Sequence, residues 1–378
     1  MPYFRCTFIV LIIFTAFVSQ LKAQTMQVGE CPLDISNEMS LKWIGKGLTD
    51  KLLTAEVIFS QAMVSNVTNF DGSYNYKTTS ARLSLLFQPQ NVLDLKLTMP
   101  FLLRQGPEGK TGPFGDLAAD ISRSWGKKQR FDAGLTLGFP IGYSSIMKDD
   151  DDLNFLSPQL QPGSGIFSAT ARLGYSLVPE WGIFNIGASY CAGLLAVRTT
   201  EYGIDTSSTP GTIKILYNKK NLEFARDGWG ARNDAGINRP DYIGVYAAFG
   251  LKTETVSHGI NVGYYYPAAP YKQDVYSKDH TASAFASKEE AQASLDNGNA
   301  INTDSYFVAG QLSDGTWEYL KKSTASQEAL PSFLLQYNIE KNDKVFPIFL
   351  GAGLKFDYKN RLNLGGFTIG LGFKYPVL

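Results

Sequence analysis

Apolar and polar residues alternate with a period of two along most of this chain. From Phe131 to Tyr143 the odd positions are Phe131, Ala133, Leu135, Leu137, Phe139, Ile141 and Tyr143. The even positions are Asp132, Gly134, Thr136, Gly138, Pro140 and Gly142. In an extended chain successive side chains point to opposite faces, so this pattern predicts a strand with one apolar face. The same alternation sets Leu93, Leu95, Leu97, Met99, Phe101 and Leu103 against Asp94, Lys96, Thr98 and Arg104. Twelve segments carry it, roughly 53–64, 74–88, 91–103, 114–125, 129–143, 166–178, 181–197, 242–254, 257–267, 330–340, 344–358 and 361–375. In the last, Leu362 and Leu364 are even whereas Phe367 onward are odd; Gly365-Gly366 can absorb the slip as a β-bulge. Pro140 has no ladder donor, which predicts a local bulge or a missing hydrogen bond.

The connections between these segments alternate in length. The tight ones are 89–90, 126–128, 179–180, 255–256 and 341–343. The long ones, 104–113, 144–165, 198–241 and 268–329, all fall between them. In an up-and-down meander, odd and even connections lie at opposite ends. Tight turns at one end and long loops at the other predict an all-β fold, a transmembrane antiparallel up-and-down β-barrel of about twelve strands (fourteen is possible). Both termini then fall at the periplasmic, tight-turn end. A strand of this length rises roughly 43 Å and, tilted, climbs about 30 Å, enough for an apolar band about 25 Å tall. Arg123 has the parity of the lipid face. It sits close to the turn at 126–128, where an Arg costs about 0–1 kcal/mol rather than the 2–4 kcal/mol of mid-bilayer. Trp125 and Trp181 fit an aromatic girdle at that end. The stretches 212–224 and 305–322 read as short hairpins projecting within the outer loops. Ser287 and Glu290 open a capping box and a short surface helix over 287–297.

Residues 1–23, with Arg5, an apolar run and Leu21-Lys22-Ala23, read as a secretory signal peptide. Residues 53–378 form the barrel, with extracellular loops 144–165, 198–241 and 268–329. Between them, 24–52 places Leu41, Ile44, Leu48 and Leu52 at helical spacing, weakened by Gly45 and Gly47. It is expected to be a docked periplasmic arm or an extra strand, with a plug entering the lumen as the functional alternative.

Without Arg5 and Lys22, 33 basic residues face 35 acidic ones, which argues against nucleic acid as a partner. Cys31 and Cys191 are the mature cysteines; they are read as independent, although an exported compartment permits a disulfide. His258 and His280 lie far apart in the chain, so no metal site, no cofactor and no catalytic triad is expected. The acidic run 148–153 reads as a solvated loop rather than a Ca²⁺ site. By parity the inward face carries Glu56, Arg82, Asp94, Lys96, Asp116, Asp120, Arg130, Asp132, Arg172, Lys252, Lys355, Asp357 and Lys374. Mixed signs there suit either a salt-bridge network tying strands together or a constriction along a permeation path. Arg82, Asp94, Lys96, Asp120, Asp132 and Arg172 are the lumen candidates. Tyr202, Tyr217, Trp229, Tyr271, Tyr276 and Trp317 are candidates for solute capture in the outer loops.

The stretches "FGDL" (114–117), "LTLGFPIG" (135–142), "LQPGSGIFSATARLGYS" (160–176) and "WGIFNIGASY" followed by "YGID" (202–205) resemble the outer-membrane proteins grouped under the phenol-degradation meta-pathway name. These are similar to the hydrophobic-compound channels related to the long-chain fatty-acid transporter. The resemblance covers about a third of the chain. The sequence departs from the family pattern at Pro140-Ile141-Gly142 and in its "KYPVL" ending. The resemblance implies passive passage of small hydrophobic or aromatic compounds across the outer membrane. The alternative is a non-transporting surface or structural protein whose long loops bind a partner. An outer-membrane enzyme is the remote reading.

Overall fold

The computed structural model describes residues 53–69, 72–89, 93–126, 128–144, 146–148, 151–156, 160–205, 214–233, 238–253, 255–278, 286–287, 289–290, 306–311, 317–327, 331–341, 348–358 and 362–377. The expected signal peptide and the 24–52 arm lie outside these residues.

Twelve strands form the wall: β1 (Leu53–Asn69), β2 (Gly72–Phe87), β3 (Asp94–Gly106), β4 (Leu117–Trp125), β5 (Gln129–Phe139), β6 (Ile166–Leu177), β7 (Gly182–Asp205), β8 (Tyr242–Lys252), β9 (Val256–Pro267), β10 (Ser332–Lys341), β11 (Ile348–Tyr358) and β12 (Leu362–Pro376). Each pairs antiparallel with the next, and β12 closes on β1 from Thr54 opposite Pro376 to Val64 opposite Gly366. Closure leaves the wall no free edge, so its backbone groups are satisfied without water.

The alternation sorts the two faces as the sequence predicts. Large apolar side chains are exposed on the outside, from Phe59 and Met63 on β1, through Leu135 on β5 and Leu173 on β6, to Ile369 and Leu371 on β12. Soluble proteins rarely expose contiguous apolar patches above a few hundred Å². A belt of this kind is the lipid-facing surface of an outer-membrane type of barrel. At the tight-turn end Trp125, Phe131, Trp181 and Tyr375 are exposed. The Arg123 guanidinium lies 5.3 Å from the centre of the Trp125 ring, so this lipid-face cation is held by an aromatic neighbour. The inward face is polar: Glu56, Ser84, Asp94, Lys96, Thr98, Asp120, Thr170, Arg172, Ser176, Asn185, Ser257, Asn338 and Glu340 are buried.

Three differences from the expected strand ends bear on the site. β5 stops at Phe139 instead of Tyr143. Pro140 cannot donate to a ladder, and Ile141 N–H donates back to the Phe139 carbonyl at 2.9 Å, a tight turn in place of further strand. β4 starts at Leu117, which leaves Asp116 just outside the strand. β7 runs to Asp205 because its outer part pairs with a strand at Lys214–Phe224, from Leu195 opposite Phe224 to Asp205 opposite Lys214. The 212–224 stretch is therefore not a self-contained hairpin; its partner is the extension of a barrel strand. The bulge in β12 stands as expected: Lys355 faces Gly366 and Phe356 faces Leu364, leaving Gly365 as the extra residue.

Outside the barrel, Gly230–Arg232, Asn238–Pro240, Tyr271–Lys278, Trp317–Gln327 and Tyr306–Gln311 join, in that order, into a five-stranded sheet. The 306–311 and 317–327 strands are the expected hairpin. Met147–Lys148 and Asp151–Phe155 form a two-stranded ladder within the acidic run. The Ser287 hydroxyl accepts from Glu290 N–H at 3.1 Å, the N-cap half of the expected capping box, while the Glu290 carboxylate accepts from Ala286 N–H at 3.1 Å, one residue before Ser287; the rest of the expected 287–297 helix lies outside the described residues.

Candidate functional site

All six lumen candidates lie on neighbouring strands, from Arg82 on β2 to Arg172 on β6, and form a continuous polar band on one side of the interior. The band is tied across strands. Lys96 pairs with Glu56 at 2.9 Å, linking β3 to β1 over β2. Asp94 accepts from the Gln88 amide at 2.8 Å, and Ser84 and Thr98 hydroxyls meet at 3.0 Å. Asp120 on β4 pairs with Arg172 on β6 and accepts from Thr136 on the strand between them at 2.8 Å. Arg172 reaches Asp120 because residue 134, between them on β5, is glycine. A Cβ there would stand 2.8 Å from Arg172 Nη2 and 3.1 Å from Nε.

Closer to the tight turns, Asp132 accepts from Ser124 on β4 and, at 2.6 Å, from Ser176 on β6. Ser176 in turn accepts from the Asn185 amide on β7 at 3.0 Å. One chain of hydrogen bonds thus crosses four strands. Arg82 shares the inward face of β2, level with Pro100 on β3. Such buried charges are tolerable only where each is paired, because desolvating an isolated ion costs several kcal/mol. Glu56, Ser124, Thr136, Ser176 and Asn185 complete the band and were not among the candidates. Parity placed them inward, but periodicity carries no information on which strand's side chain they meet.

The outer mouth holds a second arrangement that the sequence did not single out. Part of the connection after β5 turns inward: Leu160, Gln161 and Pro162 are fully buried, and Leu156 and Leu160 pack on Tyr76, an inward residue near the outer end of β2. The Gln161 amide substitutes for a strand partner. Its Oε1 accepts from Ile146 N–H at 2.9 Å, and its Nε2 donates to the Ile146 and Leu156 carbonyls at 2.9 and 3.1 Å.

Asp116 clasps this loop to the wall. It accepts from Gly142 N–H at 3.0 Å, from Ser164 N–H at 2.7 Å and from the Ser164 hydroxyl. Gly142 and Gly163 cross backbone to backbone; a Cβ on Gly163 would stand 2.5 Å from the Gly142 carbonyl. Asn233 Nδ2 donates to the Ser164 carbonyl at 3.0 Å from the far side. The "FGDL", "PIG" and "PGSG" stretches, distant in sequence, meet at this clasp.

Five of the six outer-loop candidates belong to two separate sheets. Tyr202 and Tyr217 lie in adjacent register on the β7 extension and its partner strand, where Gly203 faces Tyr217 and Tyr202 faces Asn218. Tyr271, Tyr276 and Trp317 belong to the five-stranded sheet, opposite Gln327, Lys322 and Gln311. Trp229 is exposed beside Arg226. Arg226 makes a bidentate pair with the fully buried Asp241, at 2.6 and 2.8 Å, and Tyr190 donates to the same carboxylate at 2.7 Å. The hydrogen bond to Asp241 outweighs partial burial and holds the Arg226 guanidinium above its ordinary range, so it stays charged.

Among the described residues no group of three or more His, Cys, Asp or Glu converges as metal ligands do. His258 Nδ1 lies 2.7 Å from the Tyr337 hydroxyl. Cys191, on the inward face of β7 with Asn185 and Ser189, is disulfide-bonded, which corrects its reading as an independent thiol.

No family model matches the chain, and no curated protein matches it. Solved structures similar to it include an outer-membrane channel from Pseudomonas putida F1, at 12% identity and a TM-score of 0.48, covering 87% of this chain and 96% of that one. The toluene transporter TodX of Pseudomonas putida matches at 8% identity and a TM-score of 0.38, covering 94% of each chain. The β-domain of the Bordetella autotransporter BrkA matches at 10% identity and 0.39, covering 86% and 98%.

Proposed function

We propose that this protein is an outer-membrane channel for passive uptake of a small, poorly soluble compound, hydrophobic or aromatic in character. The observation that carries this reading is the inward-turned loop at the outer mouth. It sets Leu156 and Leu160 against Tyr76 inside the barrel, above a wall in which Lys96 pairs with Glu56 and Arg172 with Asp120. An apolar mouth suits a solute that leaves water on entry. Paired charges of both signs leave no strong field to select small ions.

On this reading Tyr202, Tyr217, Trp229, Tyr271, Tyr276 and Trp317 gather the solute outside. Arg82, Asp94, Lys96, Asp120, Asp132 and Arg172 border the constriction it passes. Both termini and the tight turns face the periplasm, and lipid surrounds the wall. Purified protein in vesicles should speed entry of a small aromatic probe relative to empty vesicles. Unchanged entry together with absent conductance would sink the channel reading.

The five-stranded outer sheet favours a second reading, a surface protein whose loops bind a partner. Removing 268–329 separates the two. Lost partner binding with unchanged solute entry supports the second.

A further inference from the structure

The lipid face changes character at the outer end of β2 and β3. Lys77 on β2 faces Gln105 on β3, and Gln105 faces Lys110 on the short strand Gly109–Thr111, which folds back along β3. All three are exposed, and they share the parity of Leu83 and Leu103 on the lipid side. Met63 on β1, 50% exposed, faces Lys77 and continues the row. Opposed side chains share a face and neighbouring strands lie about 4.8 Å apart, so the two lysine stems stand about 10 Å apart with Gln105 between them.

The fold holds this row from behind. Gly106 faces Gly109 across the two-residue turn Pro107-Glu108, and Gly109 takes a φ of 132°. On the inner side of the hairpin a Cβ at Gly106 would stand 2.6 Å from the Tyr76 ring, and the Thr111 hydroxyl donates to the Leu160 carbonyl. The mouth loop that packs on Tyr76 thus also fixes Lys110 beside Gln105.

Height in the membrane and local chemistry point to one kind of partner. Lys77 lies ten positions outward of Phe87, the exposed apolar residue at the tight-turn end of β2. A tilted strand climbs about 23 Å over that distance, which brings the row to the top of a lipid band about 25 Å tall. Beneath the row Leu103 is 56% exposed, and the Phe101 and Phe114 rings lie 5.5 Å apart. Lysine stems lie along such apolar surface while their ammonium groups reach headgroup level. Neither Lys77 nor Lys110 has an ion-pair or hydrogen-bond partner among the described residues. The hairpin's one acid, Glu108, stands in the turn beyond the row. The outer end of β8 and β9 instead presents Ile243 facing Tyr266, both exposed, so the cationic row is particular to this sector. Two unpaired cations above an apolar surface match an amphiphile with a negatively charged head. We propose that Lys77, Gln105 and Lys110 form a headgroup site for a phosphorylated lipid of the outer leaflet. The phosphate is held between the two ammonium groups, and the acyl chains lie on Leu103 and the Phe101–Phe114 pair.

Native mass spectrometry of the folded full-length protein in non-ionic detergent tests this, with diphosphorylated lipid A as the probe. One retained lipid per barrel is expected. Lys77→Gln with Lys110→Gln should weaken binding roughly 30-fold, the attraction of two lysines at a membrane surface. Lys77→Arg with Lys110→Arg should keep it. Lys128→Gln with Lys341→Gln removes the same charge from exposed positions at the tight-turn end and should leave binding unchanged. Heat-dependent gel mobility confines the comparison to folded barrels. Equal weakening in both glutamine pairs, none in the first, or loss with arginine overturns the site. Equal binding of lipid A stripped of its phosphates overturns it too, because acyl contact alone would then suffice. Displacement of the lipid by excess inorganic phosphate would show a free-anion site and overturn the lipid assignment. None of these readouts uses a hydrophobic solute, so they stand or fall apart from the uptake reading.

Discussion

Arg172 on β6 pairs with Asp120 on β4, reaching across the bare backbone of Gly134 on β5. Both charges are almost fully buried, so each depends on the other. Asp120→Ala should strand the guanidinium and cost about 3–5 kcal/mol. Gly134→Leu should do comparable damage without touching either charge, by occupying the crossing. Urea unfolding from lipid vesicles checks both. The Asp120→Ala, Arg172→Ala double variant should lose less than the sum of the single ones.

The clasp at Asp116 should behave differently, because it holds a loop rather than the wall. Asp116→Ala removes the acceptor for two backbone N–H groups and a hydroxyl, worth about 1–3 kcal/mol locally. Gly163→Ala should release the same loop through the backbone crossing with Gly142. Limited proteolysis should show new cleavage within 140–165 in both variants, while the heat-dependent gel mobility of the barrel stays as in the wild type. Unchanged protease resistance would count against the clasp.

Depth in the bilayer should grade the cost of a charge on the outer face. Leu135 lies mid-strand on β5, and Phe131 lies near its tight-turn end. Leu135→Arg should cost about 2–4 kcal/mol and Phe131→Arg about 0–1 kcal/mol. Folding titrations in vesicles measure the difference. Equal costs would contradict the assigned position of the lipid band.

Arg226→Ala should leave the Asp241 carboxylate buried with only the Tyr190 hydroxyl to solvate it. A loss of about 2–3 kcal/mol is expected, the upper range for a hydrogen bond to a charged group, discounted because Arg226 is partly exposed. Arg226→Lys should recover only part of it, since a lysine cannot match the bidentate geometry. Trp229 fluorescence reports the loosening of the same loop.

Much of this architecture is legible in the chain. Period-two alternation is a local property of an extended backbone, so it revealed which side chains meet lipid, from Phe131 to Leu135, and which turn inward, such as Asp120 and Arg172. The alternation of tight and long connections revealed the up-and-down order, because consecutive antiparallel strands reverse direction at every turn. Even the Gly365 bulge was visible, as a slip of phase between Leu364 and Phe367. The loops were less legible. The partner of 214–224 turned out to be the end of β7, a choice that local pattern cannot express.

The sequence by itself determined the faces of each strand, the number of strands and the ends at which loops and turns gather, since all of these follow from neighbours along the chain. Tertiary structure alone decided that Arg172 meets Asp120, that Asp116 holds Ser164, that Gln161 stands in for a strand inside the mouth and that Cys191 is bonded. The Arg172–Asp120 contact alone joins residues 52 positions apart. Such contacts depend on barrel closure and register, which set neighbours in space that no period along the chain encodes.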